Sequence, residues 1–384
     1  MSKSAGSDRA AAKQKPSVDW RRQFRRRLLA WFRRNARDLP WRRNRDPYRV
    51  WVSEIMLQQT TVAAVVPYFE RFMAALPDIA ALAAAREETV LRLWEGLGYY
   101  RRARQLHRAA QVLVTEHGGE MPNDAAAVRR LPGIGRYTAG AILSIAFDRA
   151  EPILEANTVR LISRLLAYRG DPARAEGQRL LWETAESLLP ARGAGAFNQA
   201  LMELGSQICR PRDPDCPHCS VADLCATNRA DLQASIPAPR QKKNFEDVRA
   251  AAVVVRRRGK VLLVRNGDGE RWAGLWDFPR FECPPGGTAS LAEQLTDNVR
   301  HRTGVAIETI RPLATFRHGV TRFRITLDCF EAAAVGRVAR NGHSGDRREI
   351  AWLRPVELHD YPLSSTGRKL ANLVCNSTAA NRRS

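Results

Sequence analysis

The sequence predicts a multi-domain chain, an all-α domain followed by an α+β domain, and three observations lead there. The chain has 384 residues, enough for two or three domains of roughly 100–200 residues each. Over residues 18–235 apolar side chains recur at three- and four-residue spacing, as in Ile55, Val62, Val65, Val66 and Phe69, which is the period of a helix face. After the basic, proline-bearing stretch Ile236-Pro-Ala-Pro-Arg-Gln-Lys-Lys-Asn244 the pattern changes to short β-branched runs.

In chain order, residues 1–17 are small, polar and basic without the apolar core of a secretory signal, and are expected to be a disordered arm. Pro40, Pro47, Pro77, Pro122, Pro132, Pro152 and Pro190 then cut the periodic stretch into helices of ordinary length. Residues 236–247 are the linker. Beyond it, 251–255 and 261–265 flank Arg-Arg-Arg-Gly-Lys as a hairpin signature, with further strands expected at 325–330 and 349–353 and one helix near 290–303. The second domain is placed at 248–373 and residues 374–384 are expected to be a disordered tail. No internal repeat is found.

The formal net charge is +22, from 62 Lys and Arg against 40 Asp and Glu. A field of that size points to a polyanion, nucleic acid ahead of an anionic membrane; a species-wide bias towards Arg and Ala is the bland alternative. Arg far outnumbers Lys, and its fork suits bidentate phosphate contacts. No run of about 20 apolar residues exists to span a bilayer. The expected location is the cytoplasm, on the nucleoid, where seven cysteines should be thiols or metal ligands rather than disulfides.

Cys209, Cys216, Cys219 and Cys225 follow the spacing C-x6-C-x2-C-x5-C, with Pro211, Pro214 and Pro217 shaping the loop. Four thiolates so close can encircle one metal centre, a [4Fe–4S] cluster or a structural zinc. Zinc sites usually pair two C-x2-C hooks and only one is present, which favours iron–sulfur. Arg210 and Arg212 of the same loop suit phosphate. Cys283, Cys329 and Cys375 receive no role.

Leu131-Pro-Gly-Ile-Gly-Arg-Tyr-Thr-Ala-Gly140 sets two glycines just before a helix expected to start near Tyr137. Such glycines allow a tight turn and a close approach of backbone to phosphate, and the following helix amides meet the anion. The plain alternative is a glycine-rich loop. As a DNA-backbone clamp, Leu131, Gly133, Gly135 and Arg136 would hold a duplex without reading its sequence.

This helix–hairpin–helix, a carboxylate about twenty residues on and the four-cysteine loop together resemble the endonuclease III superfamily of base-excision glycosylases. Leu39-Pro-Trp-Arg42, Pro47-Tyr-Arg-Val-Trp-Val-Ser-Glu-Ile-Met-Leu-Gln-Gln-Thr60 and Gly96-Leu-Gly-Tyr-Tyr100 resemble its adenine DNA glycosylase branch, over the whole of the first domain from about Trp31 to Cys225. Releasing adenine needs a proton on a poor leaving group and an anion beside an oxocarbenium-like sugar, which a pair of carboxylates can supply. Glu54 lies among Trp51, Val52, Ile55 and Met56, where burial would raise its pKa. The resemblance implies that it protonates the adenine ring. The position matching the family's catalytic aspartate is Glu155, one methylene longer, followed by Ala156 in place of the usual glycine; Asn157 and Tyr137 match positions that flank the sugar. The resemblance also puts Tyr137 where bifunctional relatives carry the lysine of a Schiff base. No lysine occurs between Lys15 and Lys242, so a monofunctional enzyme is expected.

The vacancy left by an extruded base must be filled, and the resemblance assigns Gln58, Gln59, with Thr60 beside them, and Tyr99 to that wedge. Trp272-Ala-Gly-Leu-Trp-Asp-Phe-Pro279 and Phe316-Arg-His318 resemble the Nudix-like domain that accompanies adenine glycosylases. Its helix, Asp297-Asn-Val-Arg-His-Arg-Thr-Gly304, lacks the glutamates of a magnesium site, so diphosphate hydrolysis is disfavoured. The family's lesion-probing loop corresponds to Val320, Thr321 and Arg322, of which only Thr321 keeps a hydroxyl. The resulting expectation is a monomeric enzyme that flips adenine from 8-oxoguanine:adenine or guanine:adenine mispairs in double-stranded DNA. A thymine or other mismatch glycosylase and a catalytically weak lesion-binding protein stand as rivals.

Overall fold

The computed structural model describes residues 16–238, 245–283, 290–320, 322–336, 342–343 and 348–380. By its contacts the chain divides into two units, one of residues 1–84 with 105–241, the other of residues 85–104 with 242–384. No described helix is long and apolar enough to cross a membrane.

Caps and prolines set the helix boundaries of the first unit. The Ser17 hydroxyl accepts from the Trp20 amide to open α1 (Val18–Asn35), and the Asp46 side chain accepts from Tyr48 N to open α2 (Pro47–Leu57), with Pro47 at its first position. The α3 helix (Val62–Ala75) and α4 (Ile79–Ala84) follow. Glu87–Trp94, which belongs to the second unit, is α5, and Arg101–His117, which begins there and continues into the first, is α6. Next come α7 (Ala125–Arg130), α8 (Arg136–Phe147), α9 (Ala156–Leu165), α10 (Ala175–Leu188), α11 (Ala194–Gln207) and the short α12 (Ala226–Arg229). Phe24 and Leu28 of α1 pack on Leu161 and Leu165 of α9 and on Phe197, Leu201 and Leu204 of α11, so α9 and α11 are anchored by the core from one side.

The second unit is built on a sheet. Its strands are β1 (Glu246–Arg257), β2 (Lys260–Arg265), β3 (Trp276–Asp277), β4 (Arg280–Glu282), β5 (Ala306–Val320), β6 (Phe323–Val335), β7 (Gly342–His343) and β8 (Glu349–Leu353). The order is β5-β6-β1-β2-β8-β7, with β3 on β2 and β4 on β1; β1 and β6 run parallel and the other pairs antiparallel. The β1–β2 hairpin turns at Arg258 and Gly259, both at positive φ. Each face is covered by a helix: α13 (Leu291–Thr303) buries Leu295 and Val299 on one, and α14 (Ser365–Ala380) buries Leu370, Ala371 and Val374 on the other.

Two expectations need correction. The tail placed at 374–384 is helical as far as Ala380, because Val374 lies on the apolar face of α14 and is buried against the sheet. Beyond residue 244 the described residues also hold two α-helices of ordinary length rather than one. Most of the expected N-terminal arm and half of the linker lie outside the described residues.

Candidate active site

Glu54 stands in the last turn of α2 among buried Trp51, Val52, Ile55 and Met56, and is itself only 5% exposed. Tyr137, at the start of α8, donates its hydroxyl to Glu54 Oε2 at 2.5 Å. Burial raises Glu54 to about 7; the Tyr137 bond and the Arg42 charge pull it down, and Glu155 pushes it up. Burial also raises the Tyr137 phenol, which keeps it a proton donor.

Glu155 is the N-cap of α9. Its Oε1 accepts from Thr158 N at 2.9 Å, and its Oε2 accepts from Asn157 N at 2.8 Å and from Asn157 Nδ2 at 3.2 Å. The Thr158 hydroxyl closes the capping box by accepting from Glu155 N at 2.7 Å. The extra methylene is thereby taken up in a side chain that curls back onto its own helix end. Burial pushes Glu155 upward, opposed by the amide bonds of Asn157 and Thr158, which favour the anion. Asn157 is held in turn: its Oδ1 accepts from Arg160 Nη2 at 2.9 Å, and that guanidinium also reaches Gly205 O at 2.6 Å and Cys209 O at 2.7 Å. Gly205 has to be glycine, since a Cβ there would sit 2.9 Å from Asn157 Cβ.

These groups line one cavity of about 560 Å³, a size suited to a nucleoside. Glu54, Tyr137, Glu155 and Asn157 share it with Gln58, Gln59, Thr60, Gly133 and Gly135. Gln59 adopts φ +60, which turns the chain sharply after α2. A second wall went unnoticed in the sequence. Glu203 of α11 accepts from Arg37 Nε at 2.6 Å, Arg37 Nη2 at 2.9 Å and Arg42 Nη2 at 2.8 Å. Burial alone would raise Glu203, but the two arginines hold it down to about 2. Trp41, Gln199 and Met202 complete this side.

The hairpin before α8 has the geometry of an anion cradle. Leu131 and Ile134 are buried anchors, Gly133 is at φ +78 with Gln105 where its Cβ would stand, and Gly135 caps α8 with no side-chain acceptor for the first amides. Arg136 is exposed, its guanidinium 3.8 Å from the Trp182 ring centroid.

The thiols of Cys209, Cys216, Cys219 and Cys225 line one small cavity. Burial pushes the Cys219 thiol up to about 12, and the charges of the other three add to it. Arg164, buried on α9, ties the loop down through the carbonyls of Ile236 (2.8 Å), Arg210 (2.7 Å) and Gln233 (3.1 Å), and lies 3.4 Å from Cys209 Sγ. Among the described residues no group of three or more His, Cys, Asp or Glu is arranged to hold a metal ion.

The remaining candidates lie in the second unit. Tyr99 is 47% exposed at φ +47. Arg322 sits at the tip of the β5–β6 hairpin over the Phe323 ring and 3.7 Å from Glu246. Thr321 lies outside the described residues. On α13, Arg302 pairs with Glu270 at 3.1 Å.

Comparison with known proteins agrees with this geometry. The HhH-GPD superfamily of base excision DNA repair proteins matches residues 52–187, and a NUDIX domain matches 250–373. The chain is therefore a DNA N-glycosylase of base excision repair, a DNA-binding helix–hairpin–helix enzyme with a Nudix-like second domain. The adenine DNA glycosylase of Rattus norvegicus is 33% identical over 381 residues, covering 86% of this chain and 74% of that one. That of Buchnera aphidicola subsp. Schizaphis graminum is 35% identical over 260 residues, covering 67% and 75%. The chain belongs to the adenine DNA glycosylase family. A solved thermostable thymine-DNA glycosylase is 31% identical with a TM-score of 0.51, over 55% of this chain and 98% of that one.

Proposed function

We propose that this chain is a monofunctional glycosylase that hydrolyses the N-glycosidic bond of adenine mispaired with 8-oxoguanine or guanine in duplex DNA, leaving an abasic site. The observation that carries this reading is the cavity shared by Glu54, Tyr137, Glu155 and Asn157, in which one buried carboxyl is poised near neutral pH and the other is wrapped in amide donors.

Glu54, raised to about 7 and so protonated in a substantial fraction of molecules at neutral pH, gives its proton to a ring nitrogen of adenine, and the bonding pair of the C–N bond leaves with the base. The sugar becomes an oxocarbenium-like cation. Glu155, whose anion is favoured by the amides of Asn157 and Thr158 and by the Arg160 charge, stabilises it. Water adds to the anomeric carbon and its proton returns to the ionised Glu54. Tyr137 orients Glu54 and Asn157 orients Glu155. With no lysine between Lys15 and Lys242, no side-chain amine of the helical unit can form an imine with the sugar.

Gln58, Gln59 and Thr60, which line the cavity, fill the space of the extruded base; in the second unit, the exposed Tyr99 is the inserting aromatic. Leu131, Gly133, Gly135 and Arg136 grip the backbone, and the role of reading the base opposite adenine falls to Thr321 and Arg322. Cys209, Cys216, Cys219 and Cys225 would hold a [4Fe–4S] cluster, which when bound would cross-link the loop carrying Arg210 and Arg212.

Single-turnover release on duplexes with adenine opposite 8-oxoguanine, guanine or cytosine, and thymine opposite guanine, tests the reading. Adenine release opposite the first two alone, without a borohydride-trapped adduct, is expected. Thymine release as the main activity, or a trapped covalent complex, would overturn it.

A further inference from the structure

Residues 85–104 belong to the C-terminal unit although most of that unit lies far along the chain, and the bonds that attach them are specific. Glu95, with its side chain 8% exposed, takes the full fork of Arg368: Nε to Oε1 at 2.6 Å and Nη2 to Oε2 at 3.0 Å. The Leu363 amide adds a third donor to Oε2 at 3.2 Å. The other Arg368 donors go to the carbonyls of Leu358 at 2.8 Å and Tyr361 at 2.6 Å. Nearby, the Tyr100 hydroxyl donates to Leu363 O and accepts from Gly96 N, each at 3.3 Å. Trp276 Nε1 donates to Glu88 at 3.1 Å and Arg92 Nε to His359 O at 2.7 Å.

These bonds surround one turn, residues 96–100. Arg102 braces it from inside, donating to Leu97 O at 3.1 Å and Gly98 O at 3.2 Å with its guanidinium 5.6 Å from the Tyr99 ring centroid. Tyr100 is buried beneath, and Tyr99 stands out above it in a left-handed backbone that bulky side chains seldom adopt. An aromatic ring inserted between stacked bases needs a rigid support, and a largely buried bidentate ion pair with four of the five guanidinium N–H groups bonded is a stiff attachment.

We propose that Glu95 and Arg368 are a positioning pair for Tyr99, through which the C-terminal unit sets how far that ring enters the duplex. The inference rests on the reading of Tyr99 as an inserting side chain. It makes the reading of the opposite base and the opening of the stack acts of a single body.

The test uses full-length protein, single-turnover adenine release from an 8-oxoguanine:adenine duplex, and the fluorescence of 2-aminopurine beside the mispair as a report of unstacking. Arg368→Gln should slow release by about tenfold to a hundredfold and abolish the fluorescence rise, as expected for a misplacement of order 1 Å. Arg368→Lys, which keeps the charge and loses the fork, should recover only part. In a Tyr99→Ala background Arg368→Gln should add less than about twofold, because the pair then has nothing to position. Equal losses in both backgrounds, or an unchanged single variant, would overturn the pairing proposal alone. A Tyr99→Ala variant with unchanged release and unstacking would overturn the wedge reading and the proposal with it. If Arg368→Gln lowers the unfolding temperature sharply, Glu95→Gln, which removes charge and preserves shape, is read by the same criteria.

Discussion

The two walls of the catalytic cavity each bury a glutamate, and the two behave in opposite ways. Glu54 meets a phenol and rises to about 7; Glu203 meets two guanidinium groups and falls to about 2. Burial pushes both upward, so the partner decides the outcome. One wall carries a carboxyl that can hold a proton near neutral pH, whereas in the other a fixed ionic cluster holds Arg37 and Arg42 in place. A cleft can hold both kinds of carboxylate because a neutral donor and a cation differ so much in what they do to a buried charge.

The largest effect should come from removing the stored proton. Glu54→Gln is expected to reduce single-turnover release by at least about a hundredfold while duplex binding persists. A fully active variant would erase the distinction between the walls.

Next, Glu203→Gln should cost about 2–3 kcal/mol of stability, seen as a lower urea midpoint. It strands two arginines, with the figure discounted because Arg37 is partly exposed. The pH dependences should also oppose each other. The Glu203 contribution is present above its ordinary value of 4.5 and lost as pH falls towards about 2. Glu54, raised instead, favours the folded state below 4.5 and loses that contribution as pH climbs to about 7. Stability profiles of the two Gln variants against the parent should show the two windows separately.

Tyr137→Phe sharpens the comparison further. Deleting a bond that favours ionised Glu54 raises that carboxyl, so the fall of the rate above about pH 7 should move to higher pH. A limb moving to lower pH would contradict the role given to the phenol. The smallest change is expected from Glu155→Asp: release within about tenfold of the parent, since the charge is kept, with a small rise in unfolding temperature because Asp is the better N-cap.

The sequence disclosed the proton-bearing wall and concealed the other. Glu54 stands among apolar neighbours on one helix, so its burial is a local property. Glu203 looks similar in Ala200-Leu-Met-Glu-Leu204, but its partners lie 166 and 161 residues away in chain, a pairing no periodicity reports. The strand β5 escaped notice because Pro312 interrupts it; the chain tolerates that proline at an irregularity in the β5–β6 register. The final helix escaped because Ser, Thr and Asn dilute its apolar face, and packing on the sheet rather than propensity stabilises it. Residues 85–104 read as one more piece of the helical run, and only long-range bonds such as Glu95–Arg368 assign them elsewhere.

Arg164 gives the four-cysteine loop an unusual dependence on one side chain. Its guanidinium reaches carbonyls on both sides of the loop, at Arg210 and Pro211 before the cysteines close and at Gln233 and Ile236 after them. A trypsin digest would therefore be an informative assay of this region: the bond after Arg210 resists the protease because Pro211 follows it, whereas the exposed Arg212 should become an earlier cleavage point once that anchor is replaced.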